Sequence, residues 1–416
     1  MSLIKSNTSG LTLIWAFLIV AMITGCRDEQ VNQLPELDIQ AVPEGLKITL
    51  QGKITDSDGS ISDVIVNWGD SKTEHLVYAD YAALKVSHSY REPAMYSIQV
   101  SAFDNTGDST KGVFPVQVDF RETSLDGIKQ RLLKTSPHEY LILTMNMHTY
   151  QESFQNEKFN LITDVIGKMD IDFVALQECA QNKASTITSG IIRNDNMALI
   201  ITDRLKAKYN INYNFIWNWA HYGWDVWEEG VAVLSKHPLQ NSEDRYISAS
   251  MGTSSITSRK VIYGSYNTSD GLFNIFSAHT HWRLTIDDEE QNNQITKIKL
   301  MAAEKQSAGA ETPTLICGDF NGNPTSDFPW SEGYNTMMMN NEYTDSYFLA
   351  YPDANTKPAQ SQHNTIGGDF PGRIDYIFMK NNAHLEVVES QIIFTPTLVG
   401  TISDHFGVIT KVRYVQ

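Results

Sequence analysis

The sequence predicts two folded units: a small all-β sandwich of immunoglobulin size over residues 35–120 and an α/β unit over residues 139–416. Three observations predict this. Between Pro35 and Phe120 apolar residues alternate with period two in short runs parted by turn residues. Beyond Tyr140 apolar strands alternate with segments of helical period. Polar residues then recur where those strands stop, which is where sites gather in sheets with packed faces.

Residues 1–26 read as a targeting piece. Lys5 precedes the apolar run "LTLIWAFLIVAMITGC", which has the proportions of a signal peptide rather than of a membrane span. Its end, Ile23-Thr24-Gly25-Cys26, resembles the lipobox of bacterial lipoproteins, which implies that Cys26 is lipidated and becomes the mature N-terminus of an exported, membrane-anchored protein. Residues 27–34 form a polar tether. Of the three cysteines only Cys179 and Cys317 then remain, so there is no disulfide framework; both read as small buried hydrophobes at strand ends.

In the first unit "LKITLQGKI", "DVIVNWG" and "YSIQVSAFD" read as strands, with turns at "DSDGS" and "DNTGD". Trp68-Gly69-Asp70, then His88 and Tyr90, then "YSIQVSAFDNTG", resemble the PKD repeat of extracellular proteins. That likeness implies a spacer in which Trp68 plugs the core and Asp70 forms a turn. Residues 121–138, "RETSLDGIKQRLLKTSP" and its flanks, read as a linker.

In the second unit "YLILTMN" and "IDFVALQE" are expected strands with a helix over Phe154–Met169 between them. Further strands are expected at "GVAVLS", "KVIYGSY", "LFNIFSA", "PTLIC", "RIDYIFM" and "HFGVITKV", with helices over Met197–Tyr209 and Asp288–Glu304. Asn146 ends the first strand, Glu178 the second, His279 follows "NIFSA", Asp319 and Asn321 follow "LIC", and Asp404-His405 opens the last. Any one of these has an ordinary structural explanation. Their recurrence at five strand ends points to one shared mouth, and a formal charge of -17 argues against a broad basic surface for nucleic acid.

"MNMH", "ALQE", "EEGVAVLS", "SAHTHW", "GDFNGNP", "GRIDYIF" and "SDHFGV" occur in the order found in the endonuclease/exonuclease/phosphatase superfamily, which this region from Tyr140 onward resembles. The resemblance implies a four-layer sandwich, two packed mixed sheets with helices outside, and hydrolysis of a phosphate ester by an attacking water with a divalent metal, Mg²⁺ or Mn²⁺. A hard cation takes oxygen ligands, so Glu178 is implied as the leading ligand, with Asn146 beside it and Asp404 nearby. Asp319 matches the acid that positions or deprotonates the water, and Asn321 a donor to the phosphoryl oxygens, both aimed one way by their spacing of two on an extended segment. His405 matches a histidine at the phosphate with Asp375 orienting it, and His279 a second site histidine with Glu229 as its partner. Whether Asp319 or His405 is the general base is open at this point.

Where many relatives place leucine and an acid after that second histidine, Thr280, His281 and Trp282 follow here. The stretch from Asn214 to Glu229, holding Trp217, Trp219, His221, Tyr222, Trp224 and Trp227, reads either as a loop or helix packed on the domain or as an aromatic platform for a sugar, lipid or base. The expected substrate is a small phosphomonoester or phosphodiester, on a sugar or lipid headgroup ahead of nucleic acid. The alternatives are an extracellular DNase-like nuclease, a sphingomyelinase-like phospholipase and a non-enzymatic surface binding protein.

Overall fold

The alternating apolar positions of the first unit fold into two antiparallel sheets, burying one face of each. The computed structural model describes residues 32–44, 47–76, 81–90, 94–118, 125–306, 311–368, 370–381 and 384–415. Cys26, the apolar run before it and the start of the tether lie outside the described residues. β1 (Glu36–Glu44), β2 (Lys47–Thr55) and β5 (Leu84–Ser89) form one sheet in that order; β4 (Thr73–Leu76), β3 (Ile61–Asn67), β6 (Ala94–Asp104) and β7 (Ser109–Val118) form the other. Ile48, Leu50, Val64, Val66, Ile98 and Val100 fill the space between. Trp68 is buried in this core, stacks on His88 and accepts the Tyr90 hydroxyl on its carbonyl at 2.7 Å. Asp70 accepts the Lys72 N–H at 3.1 Å and touches His88 Nε2 at 2.7 Å, so it closes a turn.

The second unit holds two six-stranded mixed sheets. The first runs β12 (Asn214–Gly223), β13 (Trp227–Ser235), β9 (Phe173–Asn182), β8 (Glu139–Asn146), β21 (Gly407–Tyr414), β20 (Leu385–Ile393). The second runs β14 (Leu239–Tyr246), β15 (Lys260–Thr268), β16 (Gly271–His279), β17 (Thr314–Asp319), β19 (Asp375–Lys380), β18 (Tyr343–Asp345). Pairing is parallel between β8 and β9 and between β16 and β17. Each parallel pair needs a crossover, supplied by α2 (Gln155–Met169) and α4 (Glu290–Glu304).

Burial on both faces explains the near-continuous apolar strands. Ile142, Phe173 and Val231 of the first sheet pack against Phe273, Leu315 and Ile377 of the second. On the outer face of the first sheet, Leu143 and Leu176 meet Ile162 of α2 and Ile201 of α3 (Met197–Tyr209). Ile295 and Ile298 of α4 cover Phe276 and Ile316 of the second. The result is the expected four-layer sandwich with outer helices. No helix among the described residues is long and apolar enough to cross a membrane.

Several segments differ from the sequence reading. The stretch read as a linker contains α1 (Leu125–Leu132), whose Leu125, Ile128 and Leu132 are buried in the same core as Leu143. The aromatic stretch after Asn214 is neither loop nor helix: it is β12, a turn and the start of β13, with Phe215, Trp217 and Trp219 packing on one face of the sheet and Ile216 on the other. The polar edge strand β14, "LQNSEDRY", carries no apolar alternation and was not foreseen. Cys179 and Cys317 are buried free thiols, each in an apolar core.

Candidate active site

Backbone pairing decides which polar side chains meet. In the second sheet the register sets His279 opposite Asp319 and Asp319 opposite Asp375, so three ionisable residues stand in one row across neighbouring strand ends. Gly318 makes that row possible. A Cβ built there, at φ +152°, would lie 1.9 Å from the Ala278 carbonyl oxygen, so only glycine lets β17 come so close to the strand bearing His279.

The first sheet supplies Asn146 and Glu178. Between the pairs Cys179 with Gly230 and Leu176 with Ala232, two residues, Gln177 and Glu178, oppose Val231 alone. This bulge and a left-handed φ of 45° at Glu178 turn its carboxylate out of the ladder. Asn146 then ties the two sheets together. Its Nδ2 donates to Glu178 Oε1 at 3.0 Å and to Asp319 Oδ2 at 3.1 Å, while its Oδ1 accepts the His148 N–H at 3.0 Å. In this arrangement Asn146 orders the two acids, and its Oδ1, which accepts a single N–H, keeps a second lone pair.

Asp319 lies at the centre. Its Oδ1 accepts the Asn321 N–H at 2.9 Å, and its Oδ2 stands 3.6 Å from His279 Nε2 and 3.8 Å from His405 Nε2. Burial, then the Asp375 charge, pushes its carboxyl up to about 7; burial, then Glu229, does the same to Glu178. Ligand atoms of Glu178, His279 and Asp319 all fall within 4.8 Å of one another. Two crowded carboxylates and an imidazole fit a divalent cation, whose charge would favour the ionised acids.

The two histidines are electrically opposite. His405 Nδ1 sits 3.0 and 3.2 Å from the Asp375 carboxylate oxygens. Burial opposes its charge, yet Asp375 and Asp319 push it up to about 10, so it is an imidazolium at neutral pH. His279 is held well below the usual range by burial and by the nearby Arg259 charge, so it is neutral.

Two expectations are corrected. Glu229 does not partner His279. It faces His221, directly opposite on β12, with Nε2 3.1 Å from its Oε1, and it accepts Thr149 Oγ1 at 2.7 Å; hairpin register brings that imidazole closer. Asp319 and Asn321 do not share an extended segment. Asn321 has φ 48°, donates Nδ2 to the Thr280 carbonyl at 3.0 Å and reaches His279 Nε2 at 3.4 Å, so a turn brings acid and amide together. Asp404, part-exposed, lies 3.3 Å from His148 Nδ1 and groups with His148 and Glu152; His148 feels the charges of both Asp404 and Glu178, so this cluster adjoins the first.

Other site residues had gone unremarked. Glu152 is held by His148 Nδ1 and by buried Lys158, each at 2.6 Å, and Thr149 Oγ1 lies 3.4 Å from Glu178 Oε2. His148, Thr149 and Tyr150 all have positive φ, which local sequence does not announce. Arg259, in the loop before β15, is 3% exposed and interacts with Glu229, Glu178 and Asp319. Of the aromatic stretch, Trp217 is buried with Nε1 on the Cys179 carbonyl at 2.8 Å and Trp227 stacks on Tyr150, while Trp224 is exposed. Of the rings in that stretch only Trp217 and His221 are buried, and Trp282 is a second exposed ring at the end of the sheets that carries the site.

A model of the endonuclease/exonuclease/phosphatase family matches residues 143–405. The structure of an endonuclease/exonuclease/phosphatase family protein from Leptotrichia buccalis C-1013-b aligns with a TM-score of 0.56 and 24% identity, over 66% of this chain and 99% of that one. The human Nocturnin catalytic domain with bound sulfate aligns at 0.49 and 18% identity, over 68% and 97%. A mannosyl-6-phosphatase of Bacteroides thetaiotaomicron aligns at 0.45 and 18% identity, over 67% and 100%. No curated protein matches the sequence.

Proposed function

Because this chain belongs to the endonuclease/exonuclease/phosphatase family, and so acts as a hydrolase on phosphate ester bonds, we propose that it is a Mg²⁺- or Mn²⁺-dependent phosphoesterase for a small ester, exported and held at a membrane by a lipid on Cys26. The observation that carries the reading is Asp319. This buried acid, poised near neutrality, is bridged to Glu178 by Asn146 and flanked by a neutral and a charged imidazole.

Each residue has a task that follows from its environment. Glu178 and Asp319 would hold the cation, which supplies charge neutralisation at the phosphoryl oxygens. Asp319, set between the two imidazoles with Oδ2 3.6 Å from His279 and 3.8 Å from His405, accepts the proton of the attacking water; His405 is already charged and donates instead, stabilising the negative charge that builds on the phosphoryl group. Asp375 holds His405 in that state and orientation. Asn321 and neutral His279 can donate further hydrogen bonds. The PKD-like unit serves as a spacer between membrane and enzyme.

A formal charge of -17 favours small esters, on a sugar or a lipid headgroup, over a long polyanion. A panel of p-nitrophenyl phosphate, sugar phosphates, sphingomyelin and DNA, each with Mg²⁺ and with excess chelator, tests this. Metal-dependent release from a small ester is expected. Turnover of DNA alone would make the protein a nuclease, turnover of sphingomyelin alone a phospholipase, and full turnover in chelator would remove the metal. Mass analysis of the mature N-terminus should find a diacylglyceryl-modified Cys26; an unmodified chain starting elsewhere would remove the anchor.

A further inference from the structure

Arg259 is a buried cation that the proposed reaction leaves without a task. It directly precedes β15, whose Val261 pairs with Ala278, so the register sets it beside the strand end bearing His279. Its Nη1 donates to the Ile256 and Ser258 carbonyls at 2.6 and 3.2 Å, but its Nε is buried with no hydrogen-bond partner. The acids it interacts with are engaged elsewhere: Glu229 with Thr149 and His221, Glu178 and Asp319 with Asn146. Together with His221, Glu229 and His279 it lines a cavity of about 10 Å³, room for one water. The Trp282 ring lies over its guanidinium, with the ring centroid 5.5 Å from Cζ.

Burying a charged donor without an acceptor is costly, and the forked N–H groups of arginine match the oxygens of a phosphoryl group. Arg259 lines one cavity with His279, whose Nε2 stands 3.6 Å from Asp319 Oδ2, so it lies beside the acid at the centre of the site. At neutral pH a phosphomonoester carries about one more negative charge than a diester. His405 is already paired with Asp375, and a cation would be paired with Glu178 and Asp319, so neither has positive charge to spare for the second negative charge. Arg259 adds the further positive charge that the second one calls for.

We propose that Arg259 is a substrate-binding residue that seats an anionic oxygen of a dianionic phosphoryl group, and that the site therefore takes phosphomonoesters in preference to diesters. This rests on the phosphoesterase reading above. The rival role for Arg259 is to fasten the loop before β15 through the Ile256 and Ser258 carbonyls.

The experiment compares the full chain with Arg259→Gln and Arg259→Lys, with Mg²⁺ present, in two readouts. The first is calorimetric titration with inorganic phosphate. The second is kcat/KM on p-nitrophenyl phosphate against bis-p-nitrophenyl phosphate. Arg259→Gln should weaken phosphate binding about tenfold and lower the monoester-to-diester ratio roughly thirtyfold. Arg259→Lys keeps a cation among the acids and guards against failure to fold; it should weaken phosphate about threefold, since an ammonium lacks the fork. Equal losses on both esters, or unchanged phosphate affinity in both variants, would overturn the proposal in favour of a loop fastener. Undetectable phosphate binding by the wild type would overturn it outright. If the wild type binds phosphate but hydrolyses neither ester, the enzyme reading has failed while the titration still rules on Arg259.

Discussion

Glu178→Gln should lose phosphate-ester hydrolysis about 10³-fold, the several kcal/mol that a bound Lewis acid contributes to the transition state. The substitution is nearly isosteric. It keeps an oxygen for the Asn146 Nδ2 donor at 3.0 Å and accepts the same left-handed backbone, so the fold has no reason to suffer. It removes a carboxylate whose ionisation is opposed by burial and by the neighbouring acid Glu229. Without metal the variant should therefore melt no lower than the wild type at pH 8. Mg²⁺ should raise the wild-type melting temperature and leave that of the variant almost unmoved, a readout independent of turnover. A variant that keeps both its turnover and its Mg²⁺-induced shift would exclude Glu178 as a metal ligand.

Asp375→Asn should cost about 10³- to 10⁴-fold in kcat, because an amide at that position can hold the wrong tautomer of His405 and cannot stabilise its charge. The carboxylate approaches His405 Nδ1 with both oxygens, at 3.0 and 3.2 Å, and is itself fully buried. Asp375 is also the chief reason that the His405 imidazole is charged at neutral pH despite its burial. His405→Ala should be comparably damaging, and the double variant little worse than the worse single, since the pair acts as one unit. Multiplying losses would show two independent roles. The rival role for Asp375 is to brace β19 through its backbone. That role predicts a lower melting temperature with near-normal turnover per folded molecule, so both quantities are to be measured on the same preparations.

The sequence carried the strands, the crossover helices and the identity of most site residues, for a physical reason. Strands buried on both faces must be apolar throughout, so a carboxylate, amide or imidazole in such a strand stands out, as Asn146, His279 and Asp319 do at strand ends and Glu178 does at a bulge inside β9, where the sequence reading had placed a strand end. Helix limits were equally local: Asn196 caps α3 by accepting the Ala198 and Leu199 N–H groups, and that helix spans Met197–Tyr209 as read. What stayed illegible was whatever depends on partners distant in the chain. The polar edge strand β14 is held by its neighbour β15 and not by its own pattern. The bulge at Glu178 exists because β13 pairs across it, and the match of Glu229 with His221 instead of His279 follows from hairpin register. Arg259 lies 60 positions before Asp319 in no recognisable motif, and only the packing of two sheets brings its charge to the catalytic acids. Residue chemistry and strand period are properties of single short segments, whereas charge state, hydrogen-bond partner and the closeness of two acids are set by tertiary contact. The sequence by itself thus determined which groups could do the chemistry, and the tertiary structure alone decided which are charged and what each one touches.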